Sequence, residues 1–160
     1  MFASKIMTRK IVTCHPDQPI GEVITTMVET MLRMVPVVRR DGTLVGIVHT
    51  ISILNKVVPE YIVTGDLKSV PFAPDIGLLR KHFKALSTEH KLVRDIMERK
   101  PSTVHDNESL LSVTAALITF DRFEYVLVVD HKTNKLVGVI SSGDILRALH
   151  SVSPSAMEGV

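Results

Sequence analysis

Tryptophan is absent from this chain, and aromatic residues make up only 4% of its 160 positions. The core must therefore be assembled from Val, Ile, Leu and Met. A single cysteine, Cys14, excludes an intramolecular disulfide and fits a reducing, cytoplasmic setting. No apolar run approaches the roughly 18 residues of a membrane-spanning helix. The opening MFASKIMTRK has no apolar stretch of signal-peptide length. Net charge is only +2, with no basic stripe interleaved with aromatics, so nucleic acid is not an expected partner.

Catalytic signatures are lacking as well. There is no Walker-type phosphate loop and no nucleophile elbow. The seven histidines are scattered, and none pairs with another at the helical spacing of a metal site. His105–Asp106 and Asp130–His131 fall in predicted turns, where solvated polar residues are the ordinary outcome. Cys14 and His15 are neighbours on an extended segment and point to opposite faces. Neither catalysis, a metal nor a cofactor is expected.

What the chain does have is an internal repeat. KIMTRKIVTCHPDQPIGEV (5–23) aligns with DIMERKPSTVHDNESLLSV (95–113) at an offset of 90, with identities that include Ile6, Met7, Thr13 and His15. VPVVRRDGTLVGIV (35–48) aligns with VLVVDHKTNKLVGVI (126–140). The offset here is 91, and one added residue in the turn moves it to 92, where Gly46 meets Gly138. Each repeat reads strand, helix, strand, strand, helix. Ile20, Val23, Ile24, Met27 and Met31 recur at helical spacing, as do Leu110, Val113, Leu117 and Phe120. Pro19 is placed at the first helical position. RRDGT and DHKTNK supply Gly or Asn for hairpin turns. A repeat of about 55 residues is marginal alone, so two copies are expected to pack sheet to sheet as one α/β domain. The organisation expected is repeat 1 over 4–58, a linker over 59–92, repeat 2 over 93–151 and a flexible tail over 152–160. Within the linker, Asp75 is expected to cap a helix carrying Leu78, Leu79, Phe83 and Leu86 on one face. Its role is either core packing or a lid or partner surface.

The stretch GVISSGDIL (138–146) runs from a strand into a helix and places Ser141 and Asp144 three residues apart. Two readings stand. The pair caps the helix, or it joins the unpaired first-turn N–H groups in holding a phosphate and a ribose.

The duplicated plan, IM…T…helix…PVV…G.LVGIV…D.L, resembles the CBS (cystathionine-β-synthase) domain, and a tandem pair resembles a Bateman module. The resemblance implies a regulatory sensor that binds an adenosine-containing ligand, such as AMP, ADP, ATP or S-adenosylmethionine, in clefts between the repeats. It implies that Ser141, Ser142, Gly143 and Asp144 hold phosphate and ribose. Thr13, Cys14, Met34, Val35 and Pro36 would take the adenine side. It also implies a homodimer formed through the repeat helices and an effector protein whose identity is open. Repeat 1 departs from the motif: His49 replaces the hydroxyl and Ser52 the carboxylate. A second site, with Thr103, Tyr125 and Leu127 on its base side, is therefore expected to be weak or empty. The alternatives are a ligand-free dimerisation module, or the regulatory part of a larger transporter, channel or repressor.

Overall fold

The computed structural model describes residues 1–65, 76–89, 91–120 and 124–152. The Asp75 cap and the tail beyond residue 152 lie outside the described residues. The elements in chain order are α1 (Ala3–Ile6), α2 (Ile20–Thr30), β1 (Met34–Val38), β2 (Leu44–His49), α3 (Thr50–Val57), α4 (Glu60–Thr64) and α5 (Ile76–Thr88). A 3₁₀ turn (Val93–Asp95) follows, then β3 (Thr103–His105), α6 (Leu110–Thr119), β4 (Tyr125–Val129), β5 (Leu136–Ser141) and α7 (Ser142–Ser151).

Two compact units emerge, each built mainly on one repeat. The repeat 1 unit takes Val12–Arg40 and the described residues of Val45–Lys100. The repeat 2 unit takes Met1–Ile11, Asp41–Leu44 and the described residues from Pro101 on. Each unit therefore holds the opening segment of the other repeat. In the repeat 2 unit, Ala3 and Met7 join Val104, Val113, Val126, Val128, Ile140 and Ile145 in one core. In the repeat 1 unit, Val93 and Ile96 join Ile20, Val23, Val35, Val37, Val48 and Ile53.

The matched glycines explain how the exchanged segments fit. A Cβ on Gly138 would lie 2.4 Å from Met7 Sδ, and a Cβ on Gly46 would lie 2.6 Å from the Glu98 carbonyl oxygen and 2.9 Å from Met97 Sδ. Backbone pairing runs alongside. Thr8 and Val139 exchange hydrogen bonds of 2.9 and 3.0 Å, as Ile47 and Glu98 do. Only a strand residue without a side chain admits backbone this close.

In the repeat 2 unit the sheet has three strands, in the order β3-β4-β5. β3 runs parallel to β4, and β4 antiparallel to β5. The repeat 1 unit departs from the expected three strands. Among the described residues its sheet holds β1 and β2, and in place of the expected IVT strand there is a bridge from Cys14 to Val37. Pro19 also stands one position earlier than expected, as the N-cap rather than the first helical residue of α2. Its φ is −59° but its ψ is 132°, so the residue is still extended. Ser109 caps α6, its side chain accepting from the Ser112 N–H. Gly42 (φ 89°) and Asn134 (φ 58°) occupy equivalent left-handed turn positions, as hairpin chemistry predicts.

The linker helix α5 packs against α2 and α3 through only part of the face expected, on which Leu78 is half-buried. Leu86 is buried, whereas Leu79 and Phe83 are 42% and 40% exposed. His82 accompanies Leu86 on the packed side, its Nδ1 2.9 Å from the Val57 carbonyl oxygen. Gly21 allows the close approach of α2 to α5, since a Cβ there would lie 2.8 Å from the Ser87 carbonyl oxygen.

Candidate functional site

In the repeat 2 unit, β5 delivers Ser141 directly into α7. Ser141 is extended (φ −99°, ψ 165°) and caps the helix. Its Oγ accepts from the Asp144 N–H at 3.2 Å, and Asp144 Oδ2 accepts from the Ser141 N–H at 2.9 Å and the Ser141 hydroxyl at 2.8 Å. This is a full capping box. Arg147, one turn on, donates to Asp144 Oδ1 at 3.0 Å. The carboxylate is shielded while the guanidinium is open to water: their side chains are 14% and 79% exposed. The Ser142 N–H is also taken, donating to the Glu124 carbonyl at 3.1 Å. Of the first-turn donors, the Gly143 N–H is the one these bonds leave available to an anion. Gly143 has room around it, its nearest would-be neighbour being Ser141 Oγ at 3.6 Å. Both readings of the sequence thus meet on the same atoms. The cap is complete, and its one exposed partner is Arg147.

Tyr125 lies across β4–β5 from Ser141 in register, and Thr103 and Leu127 pair across β3–β4. Leu127 is buried at 2% exposure, so it packs the core instead of presenting a surface. Tyr125 is half-buried and Thr103 exposed.

The equivalent junction in the repeat 1 unit is built differently. His49 caps α3, its Nδ1 accepting from the Ile51 N–H at 3.1 Å. The proton of the neutral ring therefore sits on Nε2. His49 and Ser52 are both buried. Burial chiefly pushes the His49 pKa below its usual 6.5, Glu98 pulls it up and Arg33 lowers it further. Ser52 donates to Glu98 Oε1 over a long 3.5 Å. A buried, hydrogen-bonded pair stands here in place of a hydroxyl and a carboxylate open to a ligand. Thr50 repeats the bond made by Ser142, donating to the Arg33 carbonyl at 2.9 Å.

The five residues assigned to the adenine side lie together in this unit. The Cys14 N–H donates to the Pro36 carbonyl at 3.0 Å, and the Val38 N–H donates to the Cys14 carbonyl at 2.9 Å. Val35, Pro36 and Cys14 are core residues, whereas Met34 is half-buried and Thr13 exposed. Burial raises the Cys14 thiol to about 12, and its Sγ lies 3.7 Å from the Pro36 carbonyl oxygen.

Two participants were not singled out from sequence. Arg147 was legible as a residue three positions after Asp144 on one helix face. Glu98, which approaches Ser52, arrives from a segment 46 residues away and left no local signal. Folding also joins the two turns read separately: His131 Nδ1 lies 2.8 Å from Asp106 Oδ1, and Asp130 stands beside them. Asp106 Oδ1 also accepts from the His131 N–H, and Asp130 Oδ1 from the Lys132 and Thr133 N–H groups. The His131 side chain, and then its N–H, hold Asp106 below its usual pKa, and the Thr133 N–H and hydroxyl do the same for Asp130. No helix among the described residues is long and apolar enough to cross a membrane.

These features define a mixed α/β protein of two repeats, each closing a strand-to-helix junction with a capped helix. The CBS domain model matches residues 3–59 and 93–151, and the chain belongs to the CBS domain family as a tandem pair. CBS domain-containing protein CBSX1, chloroplastic, of Arabidopsis thaliana is 27% identical over 158 residues; the match covers 94% of this chain and 65% of that protein. The chain thus spans just under two thirds of that relative's length. The crystal structure of CBSX2 in complex with AMP superposes with a TM-score of 0.67 at 24% identity, covering 93% of this chain and 96% of that one. The CBS domain pair of protein MJ0100, in complex with 5'-methylthioadenosine and S-adenosyl-L-methionine, superposes with a TM-score of 0.62 at 22% identity, covering 94% and 96%.

Proposed function

We propose that this chain is a regulatory, non-catalytic sensor of an adenosine-containing nucleotide. The observation that carries the reading is the state of Asp144. Its carboxylate is oriented by the Ser141 box, and among the described residues its second oxygen is held by one exposed arginine. A ribose diol replaces that arginine with two hydroxyl donors on one carboxylate, which is a stronger arrangement than an exposed ion pair. Ser141, Ser142 and the Gly143 N–H take the adjoining phosphate. Thr13, Cys14, Met34, Val35 and Pro36 serve the base, with exposed Thr13 and half-buried Met34 offering their side chains while those of Val35, Pro36 and Cys14 stay in the core. The second site, on His49, Ser52, Thr103, Tyr125 and Leu127, is weak or empty, since burial has closed His49, Ser52 and Leu127. AMP bound to CBSX2, and the adenosyl ligands of the MJ0100 pair, support this ligand class.

Ligand binding shifts the equilibrium between two states of the protein, and an effector reads that shift. The protein acts as a homodimer. Val28, Met31 and Leu54 in one unit, and Leu111, Ile118 and Leu146 in the other, are more than half exposed. Apolar helix residues of this kind favour a partner. Its place is a reducing compartment, the cytoplasm, consistent with one free, buried cysteine.

The test is a thermal-shift panel of AMP, ADP, ATP and S-adenosylmethionine. A ligand at one hundred times its dissociation constant adds about 2.7 kcal/mol of stability. If no adenosine compound shifts the melting temperature, the sensor reading fails. The completeness of the capping box without ligand would then favour a structural dimerisation module, and sedimentation would still report a dimer.

A further inference from the structure

The two repeats carry opposite charge at one equivalent place. In the repeat 1 unit a cavity of about 800 Å³ opens beside the end of β1, bounded by the loop of His15 and Asp17 and by Arg39, Arg40, Arg94 and Arg99. Among the described residues, four guanidinium groups and one carboxylate, that of Asp17, surround this space. Asp17 is already paired with Arg94. The Arg99 guanidinium is anchored to the Arg94 carbonyl at 3.4 Å. Arg39 and Arg40 are exposed and make no ion pair or hydrogen bond among the described residues. In repeat 2 the positions equivalent to Arg39 and Arg40 are Asp130 and His131. There the turn satisfies itself, His131 bonding Asp106 and Asp130 capping its own loop.

The cavity's walls are fixed by backbone bonds. The Arg94 N–H donates to the Pro16 carbonyl at 3.0 Å, and the Val93 N–H to the Gln18 carbonyl at 2.9 Å. These bonds tie the segment bearing Arg94 and Arg99 to the loop bearing His15 and Asp17. Converging arginines repel one another unless an anion lies between them. Guanidinium forks match phosphate oxygens in pairs. The space exceeds what one phosphate fills, and four cations suit a chain of several negative charges.

We propose that this arginine-lined cavity of the repeat 1 unit binds a polyphosphate anion, either inorganic or the phosphate tail of a nucleotide. It is separate from the Ser141–Asp144 junction, and its occupancy does not depend on adenosine recognition there.

The test is isothermal titration of the full chain with sodium tripolyphosphate, ATP and adenosine at near-physiological salt. Wild type is expected to bind tripolyphosphate, with affinity falling steeply as salt rises. Arg39→Ala/Arg40→Ala is expected to lose at least tenfold in affinity. Arg39→Asp/Arg40→His, which installs the residues of repeat 2, is expected to abolish binding. Both positions are exposed and unbonded, so the melting temperature without ligand stays unchanged. Asp144→Ala is expected to bind tripolyphosphate as wild type does, which keeps this site distinct from the nucleotide reading. Loss of tripolyphosphate binding in the double variants, and loss of ATP binding when they are combined with Asp144→Ala, supports recognition of the phosphate chain itself. Binding of ATP alone, lost in those variants, supports a nucleotide tail as the source. Wild-type affinity for both in the double variants, or no binding of either by wild type, overturns the proposal.

Discussion

Ser141 and Asp144 bond each other three times, backbone to side chain in both directions and side chain to side chain, at 2.8–3.2 Å. The pair that would hold a ribose is therefore also the pair that starts α7. A substitution at Asp144 has two separable consequences. Asp144→Ala is expected to cost about 0.5–2 kcal/mol through the lost cap and to remove any nucleotide-induced thermal shift. Asp144→Asn keeps an oxygen able to accept from the Ser141 N–H, so it retains most of the stability while losing the charge that binds the diol. A nucleotide shift of wild-type size in both variants would leave Asp144 as a cap and nothing more.

The strand glycines are expected to rank by what stands opposite them. A Cβ at Gly46 meets a backbone carbonyl, which cannot turn away, and at Gly138 it meets the Met7 side chain. Gly46→Ala and Gly138→Ala are both expected to destabilise by about 1–3 kcal/mol, since at Gly138 the added carbon also lies 2.9 Å from the Met7 Cβ, which no rotamer change moves away. Gly143→Ala meets only an ordinary contact at 3.6 Å and should be neutral or slightly stabilising. If the same Gly143→Ala weakens nucleotide binding, the Gly143 backbone lies against the ligand. Chemical denaturation and titration of the three variants measure both effects.

His49 makes stability depend on mildly acidic pH. Its pKa in the folded chain lies below 6.5, so the unfolded chain binds the proton more readily. Its contribution is complete above pH 6.5 and is lost as pH falls below that value. Protonation also removes the Nδ1 acceptor that caps α3. Asp106, Glu108 and Asp130 are depressed and act in a separate, lower window, losing their contribution as pH drops below 3.8–4.5. His49→Asn, which caps without titrating, is expected to flatten the stability profile between pH 6.5 and 5. An unchanged slope in urea midpoints would remove His49 from that role.

Cys14 is expected to resist thiol reagents in the native state. It is 2% exposed, and its thiol is raised to about 12, so almost no thiolate exists at pH 8. Labelling should become complete only on denaturation and should slow further with any ligand that stabilises the fold. Rapid native-state labelling at pH 8 would contradict the burial of Cys14 in the repeat 1 core.

Much of this protein is local and was legible in the chain. Helices announce themselves by apolar spacing, as in Ile20, Val23, Ile24 and Met27, all buried on one face of α2. Turns announce themselves by Gly42 and Asn134, and the alignment of Gly46 with Gly138 revealed the duplication and with it the CBS family. The Ser141–Asp144 spacing marked the junction that the structure shows capped. Tertiary structure decided the rest. Leu79 and Phe83 match the helical period as well as Leu86 does, but only what packs against α5 selects the buried face. The exchange of opening segments was not visible either, because Met7 and Gly138 are joined by shape complementarity across most of the chain. The charge inversion behind the arginine cavity lay in the alignment of Arg39 with Asp130. It became a site only when folding brought Arg94 and Arg99, more than fifty residues later in sequence, to the same space. Backbone propensity and side-chain period act over a few residues, whereas packing and charge convergence act between segments that meet only in the folded chain.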